Sequence, residues 1–313
     1  MNNPKYTAFL SIAETGSVKK TAEILGYTQT GISYLINSME EEWGLKLFVR
    51  NYGGTVLTSE GEVLLPYIRS VCNCESLLTN KVSEIKNLDS GLLRIGTISS
   101  VHINWLPEMV KDYKRRYPGV EVEMKCCDDY DRLEDMICTG EVDCGFVIMP
   151  CKKKLKVEEI YEDQLVAVLD REHPLADSQS FSVSDLDQYP YIQSLVSSES
   201  EANAVFALYD KKPNVVHWVD NDFTMLSMIS SGYGFAIFPE LLLEHLDFPV
   251  IAKPLAPKAS RKIAFAVRGA GPISQVVRSF QETAFDWVQQ WAKDRQTALN
   301  SRQTTDKMTI KKS

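Results

Sequence analysis

No stretch of about 18 apolar residues occurs in the 313-residue chain, so the sequence offers no helix that would span a membrane. Its start, MNNPKYTAFL, lacks the basic-then-apolar layout of a secretory leader, and the chain is expected in the cytoplasm. Histidine is scarce: the four are scattered singly at His102, His173, His217 and His245. The seven cysteines (Cys72, Cys74, Cys126, Cys127, Cys138, Cys144 and Cys151) are odd in number and match no zinc-ligand spacing. Reduced thiols are the expectation, with no metal and no cofactor. GxSxG, HExxH, a phosphate loop and a strand followed by GxGxxG are all missing, so no enzyme is expected. The Gly232-Tyr233-Gly234 pair precedes a strand instead of following one. An excess of basic charge is absent too. Asp and Glu number 42 against 34 Lys and Arg, a net charge of -8. That excludes a polycation that coats nucleic acid but leaves room for a local basic site.

What is present is an ordinary globular balance, 44% hydrophobic and 24% charged. The length suggests about two domains at ~100–200 residues each. The first sixty residues are the most informative. Asn3-Pro4 caps and opens a helix in which Tyr6, Phe9, Leu10 and Ala13 recur at helical spacing. Gly16 ends it, Ser17 caps a second helix, and Gly26 ends that one. Thr28 caps a third, with Ile32, Ile36 and Met39 on one face. Two short helices joined through Gly26-Tyr27-Thr28 make a helix-turn-helix, at about 18–37. On the third helix's outer face, Thr28, Gln29, Thr30, Ser33, Tyr34 and Asn37 can reach base edges or phosphates. Lys19, Lys20, Lys46 and Arg50 are the candidate phosphate contacts. Two β-prone runs around Asn51-Tyr52-Gly53-Gly54 read as a hairpin wing.

In this region the sequence resembles the LysR-type transcriptional regulators. The matching residues are Gly16-Ser17, Thr21-Ala22, Thr28-Gln29, Met39-Glu40, Gly44 to Arg50 and Leu57 to Gly61. The departures lie at Tyr34, Leu35 and Asn37, where many relatives carry polar or basic residues. Glu40, Glu41 and Glu42 make the helix end acidic, which implies a weaker nonspecific affinity for DNA.

Residues 1–58 are thus expected to form a winged helix-turn-helix, and 59–90 a linker helix with a hinge at Leu88 to Gly91. Leu64, Ile68, Val71, Leu78, Val82 and Ile85 form an apolar seam at heptad spacing that calls for a partner helix. Glu75, in the seam, is expected to fix register by pairing with a polar group of the partner. From Leu92, strands alternate with helices, an α/β pattern with parallel sheets. A closing helix spans 272–293, and a polar tail, 294–313, is expected to be disordered.

This half resembles the family's effector-binding domain, which looks like a periplasmic solute-binding protein. The markers run in order: Leu93 to Gly96, Tyr117 to Val120, Gly140 to Asp143, His173 to Ala176 and Gly232 to Pro239. The resemblance implies two subdomains flanking a cleft within 91–293, one of 91–162 plus 267–293 and the other of 163–266. Strand ends and helix starts at that cleft are the candidate effector contacts: Ser99, Ser100, His102, Asp128, Met149, Pro150, Gln193, Ser194, Asn221 and Phe223. A carboxylate is the family-weighted ligand, and a neutral or aromatic one stays open because few arginines converge there. The resemblance further implies double-stranded DNA with an imperfect inverted repeat, a homodimer through the linker helix, a dimer of dimers, and contact with the transcription machinery. A thiol-sensing regulator of the same architecture and a transport solute-binding protein are the alternatives. Residues 163–266 lack cysteine, which counts against the first. The DNA-binding head counts against the second.

Overall fold

A computed structural model describes the backbone of residues 3–51, 54–85, 90–195 and 201–310, and the side chains of these except 80, 83–85, 90 and 299–310. The chain divides into two compact units, 1–92 with 139–141, and 93–138 with 142–313.

In the first unit, α1 (Pro4–Thr15), α2 (Val18–Leu25) and α3 (Gln29–Trp43) precede β1 (Phe48–Asn51), β2 (Gly54–Leu57) and the long α4 (Ser59–Ile85). The capping expected from sequence is present. Asn3, Ser17 and Thr28 side chains accept from the N–H groups of Lys5, Lys20 and Gly31. Gly16, Gly26 and Gly44 close the helices with φ near +64°, +69° and +68°, where a side chain would strain the backbone. The core gathers Ala8, Phe9, Ile12, Ala22, Ile32, Ile36, Met39, Leu47 and Ile68. β1 and β2 pair antiparallel, and Thr55 N–H donates to the Gly16 carbonyl at 2.9 Å, which fixes the wing to the end of α1. The hairpin tip, Tyr52-Gly53, lies outside the described residues.

The expected seam of α4 is shifted. Ile68 is 3% exposed and packs with Leu64 into the head's core. The stripe that stays open is Val63, Tyr67, Val71, Leu78 and Val82. At its first two positions, Val63 and Tyr67, it lies one residue back because the head consumes the neighbouring face of the helix's first turns, whereas Val71, Leu78 and Val82 stand where the spacing put them. Glu75 accepts from Asn3 N–H of its own chain at 3.4 Å, a long hydrogen bond, so the register role expected for it is at least shared with the start of α1. The Ile85 side chain and residues 86–89 of the hinge lie outside the described residues.

The second unit comprises β3 (Ser90–Thr97), α5 (Ser99–Asn104), α6 (Leu106–Arg116), β4 (Gly119–Cys126), α7 (Tyr130–Thr139), β5 (Cys144–Met149), β6 (Leu155–Asp170), β7 (Phe181–Ser182), β8 (Pro190–Ser194), α8 (Glu201–Leu208), β9 (Asn214–Val219), α9 (Asp222–Ser230), β10 (Ala236–Pro239), β11 (Val250–Arg268) and α10 (Gln275–Ile310). The single helix expected up to Tyr117 is two, because Pro107 lacks an N–H and opens a new first turn at Leu106. The main sheet runs β10-β6-β11-β5-β3-β4, and β8-β9 form a small parallel pair. It is mixed, not parallel as expected. β3 pairs parallel with β5, whereas β6, β10 and β11 pair antiparallel.

Two cores result. One holds Leu93, Trp105, Tyr113, Phe146, Phe265 and Phe280; the other holds Leu165, Phe181, Tyr191, Phe206, Leu226 and Phe235. β6 and β11 run through both as a two-stranded bridge, so the chain crosses between lobes twice. Ile263 to Val267 already belong to the first core and Leu255 to the second. The second crossing therefore falls before Ile263, ahead of the expected boundary at 266–267. The tail expected to be disordered from Asp294 instead continues α10 to Ile310. Gln275 to Ile310 holds no Gly or Pro. Arg295 also anchors it, donating to Tyr161 Oη at 2.8 Å and pairing with Glu240 and Glu244 at 3.1 and 2.7 Å.

Candidate functional site

The DNA-facing surface is built by the helix that buries Ile32, Ile36 and Met39. Those residues recur at three- and four-residue spacing, so Gln29, Thr30, Ser33, Tyr34 and Asn37 share the opposite face. Gln29, Thr30, Tyr34 and Asn37 are exposed, Tyr34 by 71%, and Ser33 is half-buried. Thr28 is exposed too, but its hydroxyl oxygen already accepts from Gly31 N–H at 3.0 Å. Lys19 and Lys20 stand exposed on α2, and Arg50 on β1. Lys46 is less available, since its Nζ pairs with Glu40 at 2.5 Å. Glu40 is 6% exposed, turned inward rather than adding to an acidic surface. Burial alone would raise its pKa, but hydrogen bonds from Lys46, Leu47 N–H and Phe48 N–H outweigh burial and hold it below the usual value. Glu42 pairs with Lys5 at 2.8 Å.

In the second unit a cavity of about 170 Å³ opens between the two lobes. Ser99, Ser100, Asp128, Ser194, Asn221 and Phe223 line it; His102, Met149, Pro150 and Gln193 do not. His102 lies behind, its Nδ1 at 2.9 Å from Thr97 Oγ1. Gln193 turns its amide to the Ser194 carbonyl at 3.3 Å, and Met149 packs on the first core. Apolar walls come from Ile98, Leu165, Phe223, Met225, Phe238 and Leu246.

The residues sequence reasoning missed dominate the polar side. Arg261, 6% exposed, donates through Nε to Asp163 at 3.0 Å, through Nη1 to Glu201 at 2.9 Å and through Nη2 to Ser100 Oγ at 2.6 Å. Tyr130 Oη donates to the same Glu201 oxygen at 2.6 Å. Asp163, fully buried, also accepts from Leu241 N–H at 3.0 Å. Although burial disfavours charge on Glu201, Arg261 and these hydrogen bonds hold its pKa below the usual carboxylate range. The pair sits on the two bridging strands, where Arg261 stands directly opposite Asp163. A signal existed in hindsight. Asp163 alternates with Leu165 and Ala167, and Arg261 with Ile263 and Phe265, so each is a charge at a core-facing position.

Asp128 accepts from Ser99 N–H at 2.7 Å and from the Ser99 hydroxyl. Asn221 caps α9 by accepting from Thr224 N–H at 3.1 Å. Asp222 makes no hydrogen bond or ion pair with any described residue. Burial, then the neighbouring Asp128 and Glu201 carboxylates, push its pKa up to about 6 against the pull of Arg261.

Comparison with known proteins agrees with both halves. Residues 5–62 match the model for bacterial regulatory helix-turn-helix proteins of the lysR family, and 86–289 match the LysR substrate binding domain. The chain belongs to the LysR family of transcriptional regulators. It is 28% identical to an uncharacterized HTH-type transcriptional regulator, YvbU of Bacillus subtilis, over 88% of this chain and 95% of that one. Full-length CbnR in complex with its target DNA superposes with a TM-score of 0.66 at 17% identity, covering 91% of this regulator and 99% of CbnR. The effector-binding domain of QuiR in complex with shikimate gives 0.57 at 20% identity, over 64% of this regulator and 98% of QuiR. The regulator is thus a sequence-specific DNA-binding protein with a C-terminal effector cleft. No group of three or more metal-ligating side chains occurs among its described residues.

Burial pushes the thiols of Cys127, Cys138 and Cys151 up, the last to about 11, and Cys144 further still. Such thiols stay protonated near neutral pH and react slowly, so nothing in their surroundings favours a thiol switch.

Proposed function

We propose that the regulator reads an imperfect inverted repeat by placing α3 in the major groove of each half-site. Gln29, Thr30, Ser33, Tyr34 and Asn37 contact base edges, and Lys19, Lys20 and Arg50 hold phosphates. Lys46 contributes less because Glu40 already neutralises it. The observation that carries this reading is the exposed hydrogen-bonding face of α3, opposite the inner face of Ile32, Ile36 and Met39. Two heads are joined through the open stripe Val63, Tyr67, Val71, Leu78 and Val82 of α4, since a row of apolar side chains on one helix is stable only when a second helix covers it. A pair of such dimers makes the tetramer, which contacts the transcription machinery.

The cleft holds a small effector, with Ser99, Ser100, Asp128, Ser194, Asn221 and Phe223 among its contacts. Its closure about the β6–β11 bridge rearranges the dimers on DNA. The effector-binding domain of QuiR, in complex with shikimate, shares this fold and supports a small-molecule role for the cleft. DNA and effector must then alter each other's affinity by the same factor. The test is a footprint of the full-length protein on its own upstream region, with Gln29→Ala, Tyr34→Ala and Lys20→Ala variants. The first two are expected to relax discrimination between operator and random DNA. The third is expected to weaken both alike and to flatten the salt dependence. Retained discrimination in the Gln29 and Tyr34 variants would refute this placement of α3.

A further inference from the structure

We infer that the effector of this cleft carries a positively charged nitrogen, as an ammonium or guanidinium group on a small, partly apolar skeleton. The inference rests on the reading that the cleft binds the effector, and adds the sign of the ligand's charge. The carboxylate expected from the family finds no uncommitted cation among the described residues lining the cavity. Arg261 is the one basic side chain among the described residues lining the cavity, and Asp163, Glu201 and Ser100 already take its three nitrogens. The Ser99 N–H and hydroxyl, two of the donors at that wall, both go to Asp128. Residues 196–200, beside Ser194 in the chain, are Val, Ser, Ser, Glu and Ser, none of them basic.

Negative charge is in surplus instead. Asp128, Glu201, Asp220 and Asp222 face the cavity against the single guanidinium. Asp163 offsets that cation from behind. Asp220 and Asp222 are left without a donor among the described residues, and Asp222, the less exposed of the two, lies beside Phe223 at the start of α9. A cationic nitrogen seated between Asp222 and Asp128 would satisfy it, while Phe223, Met225 and Leu246 cover the attached carbon skeleton. Apolar walls with a few converging polar groups are what a small-ligand site requires, and here those groups are acceptors.

The experiment uses the full-length protein at pH 8. Thermal stability and calorimetric binding are measured with putrescine, agmatine and phenethylamine, and with succinate, 3-phenylpropionate and 2-phenylethanol as anionic and neutral counterparts. An amine is expected to bind with one site per chain and raise the melting temperature; the anions are not. Asp222→Asn is expected to weaken the amine at least tenfold, and Asp222→Glu, which keeps the charge, to stay within about threefold of the parent. Equal loss in both variants would mean that Asp222 matters only for shape, and would overturn the proposal. Absence of binding by every amine overturns it as well. If a carboxylate or the alcohol binds and shifts the footprint, the charge assignment falls and the effector cleft stands. If the footprint also ignores a whole metabolite extract, both readings fall together.

Discussion

Asp222 offers a test that needs no ligand. Its carboxyl pKa is pushed up from 3.8 to about 6 by burial and by the neighbouring carboxylates. A folded-state pKa above the unfolded one means that the native state binds the proton more tightly. Folding is then penalised above pH 6, and the penalty fades as pH falls from 6 towards 3.8. The shift spans about two units at ~1.4 kcal/mol each, an upper bound of about 3 kcal/mol. The cleft admits water, and screening reduces this to about 1–2 kcal/mol. Asp222→Asn removes the penalty but also removes a negative charge from the first turn of α9, worth about 0.3–1 kcal/mol. The net expectation is a variant more stable than the parent by roughly 1 kcal/mol at pH 8. For a domain of this size that is about 2–4 °C in the melting transition of the second unit. At pH 4.5 the difference should shrink towards zero or reverse. The groups that act on Asp222 are Asp128, Glu201 and Arg261, with the Cys126 thiol also in its field and His102 beside Asp128. Scanning calorimetry at the two pH values measures the effect. A variant less stable than the parent at pH 8, or a difference that does not change with pH, would refute the reasoning.

Other expectations follow from the same geometry. Arg261→Met leaves Asp163 buried without its cation and should cost about 3–5 kcal/mol in urea unfolding. Adding Asp163→Leu should recover much of that, and no recovery would mean the pair is not the unit of stability. On α4, Tyr67→Lys or Val71→Lys should dissociate the dimer in sedimentation while leaving the head folded. Ile68→Ala should instead destabilise the head by about 2–5 kcal/mol, because that side chain fills its core. Lys46→Ala should weaken DNA binding less than Lys20→Ala, since Lys46 is bound to Glu40, and titration of each variant against one duplex compares them. Iodoacetamide labelling read by mass spectrometry should leave Cys144 and Cys151 unmodified after brief exposure at pH 7; rapid modification would revive the thiol switch.

The head was legible from sequence almost residue by residue, because local rules control it. Asn3, Ser17 and Thr28 are caps with short-range partners, and Gly16 and Gly26 mark chain reversals that other residues adopt poorly. The alternating strands and helices of the second unit were visible for the same reason wherever a strand was short and wholly apolar, as at Cys144–Met149. The long bridge was not. β6 begins with LKVEEIYED, whose charges break the alternation (Lys156, Glu158 and Glu162 on one set of positions, Glu159 and Asp163 on the other), and β11 carries two prolines within VIAKPLAPKAS, so neither half reads as a strand. They are held by fifteen or so residues of each other, an order of pairing that composition does not carry. The register shift between Pro254 and Ala259 accommodates the prolines. The first two positions of the α4 stripe were off by one residue for a related reason. Heptad spacing identifies an apolar face, but the head competes for that face, and the competition is decided in three dimensions.

The sign of the cleft was the least legible property. Ser99, Ser100, Asp128 and Asn221 can be found as strand ends and helix starts, and these positions ordinarily suggest an anion because backbone N–H groups converge there. Whether they accept an anion depends on what the chain has already placed on them. Here Asp128, 29 residues from Ser99, supplies the carboxylate itself. The one arginine among the described residues that reaches the cavity comes from the bridging strand β11, 161 residues along the chain from the Ser100 hydroxyl it meets. Its charge is matched before any ligand arrives by Asp163 and Glu201. A count of arginines near the expected site would have left ligand charge open; the pairing of that arginine removes the cation an anionic ligand would use. Position along the fold thus identifies where an effector sits, and the residual charge, after internal pairs are removed, identifies what it must bring. In this regulator Asp222 is left over beside the more exposed Asp220, and a ligand that neutralises Asp222 also relieves the stability penalty it imposes above pH 6, so binding and folding are linked through that carboxyl group.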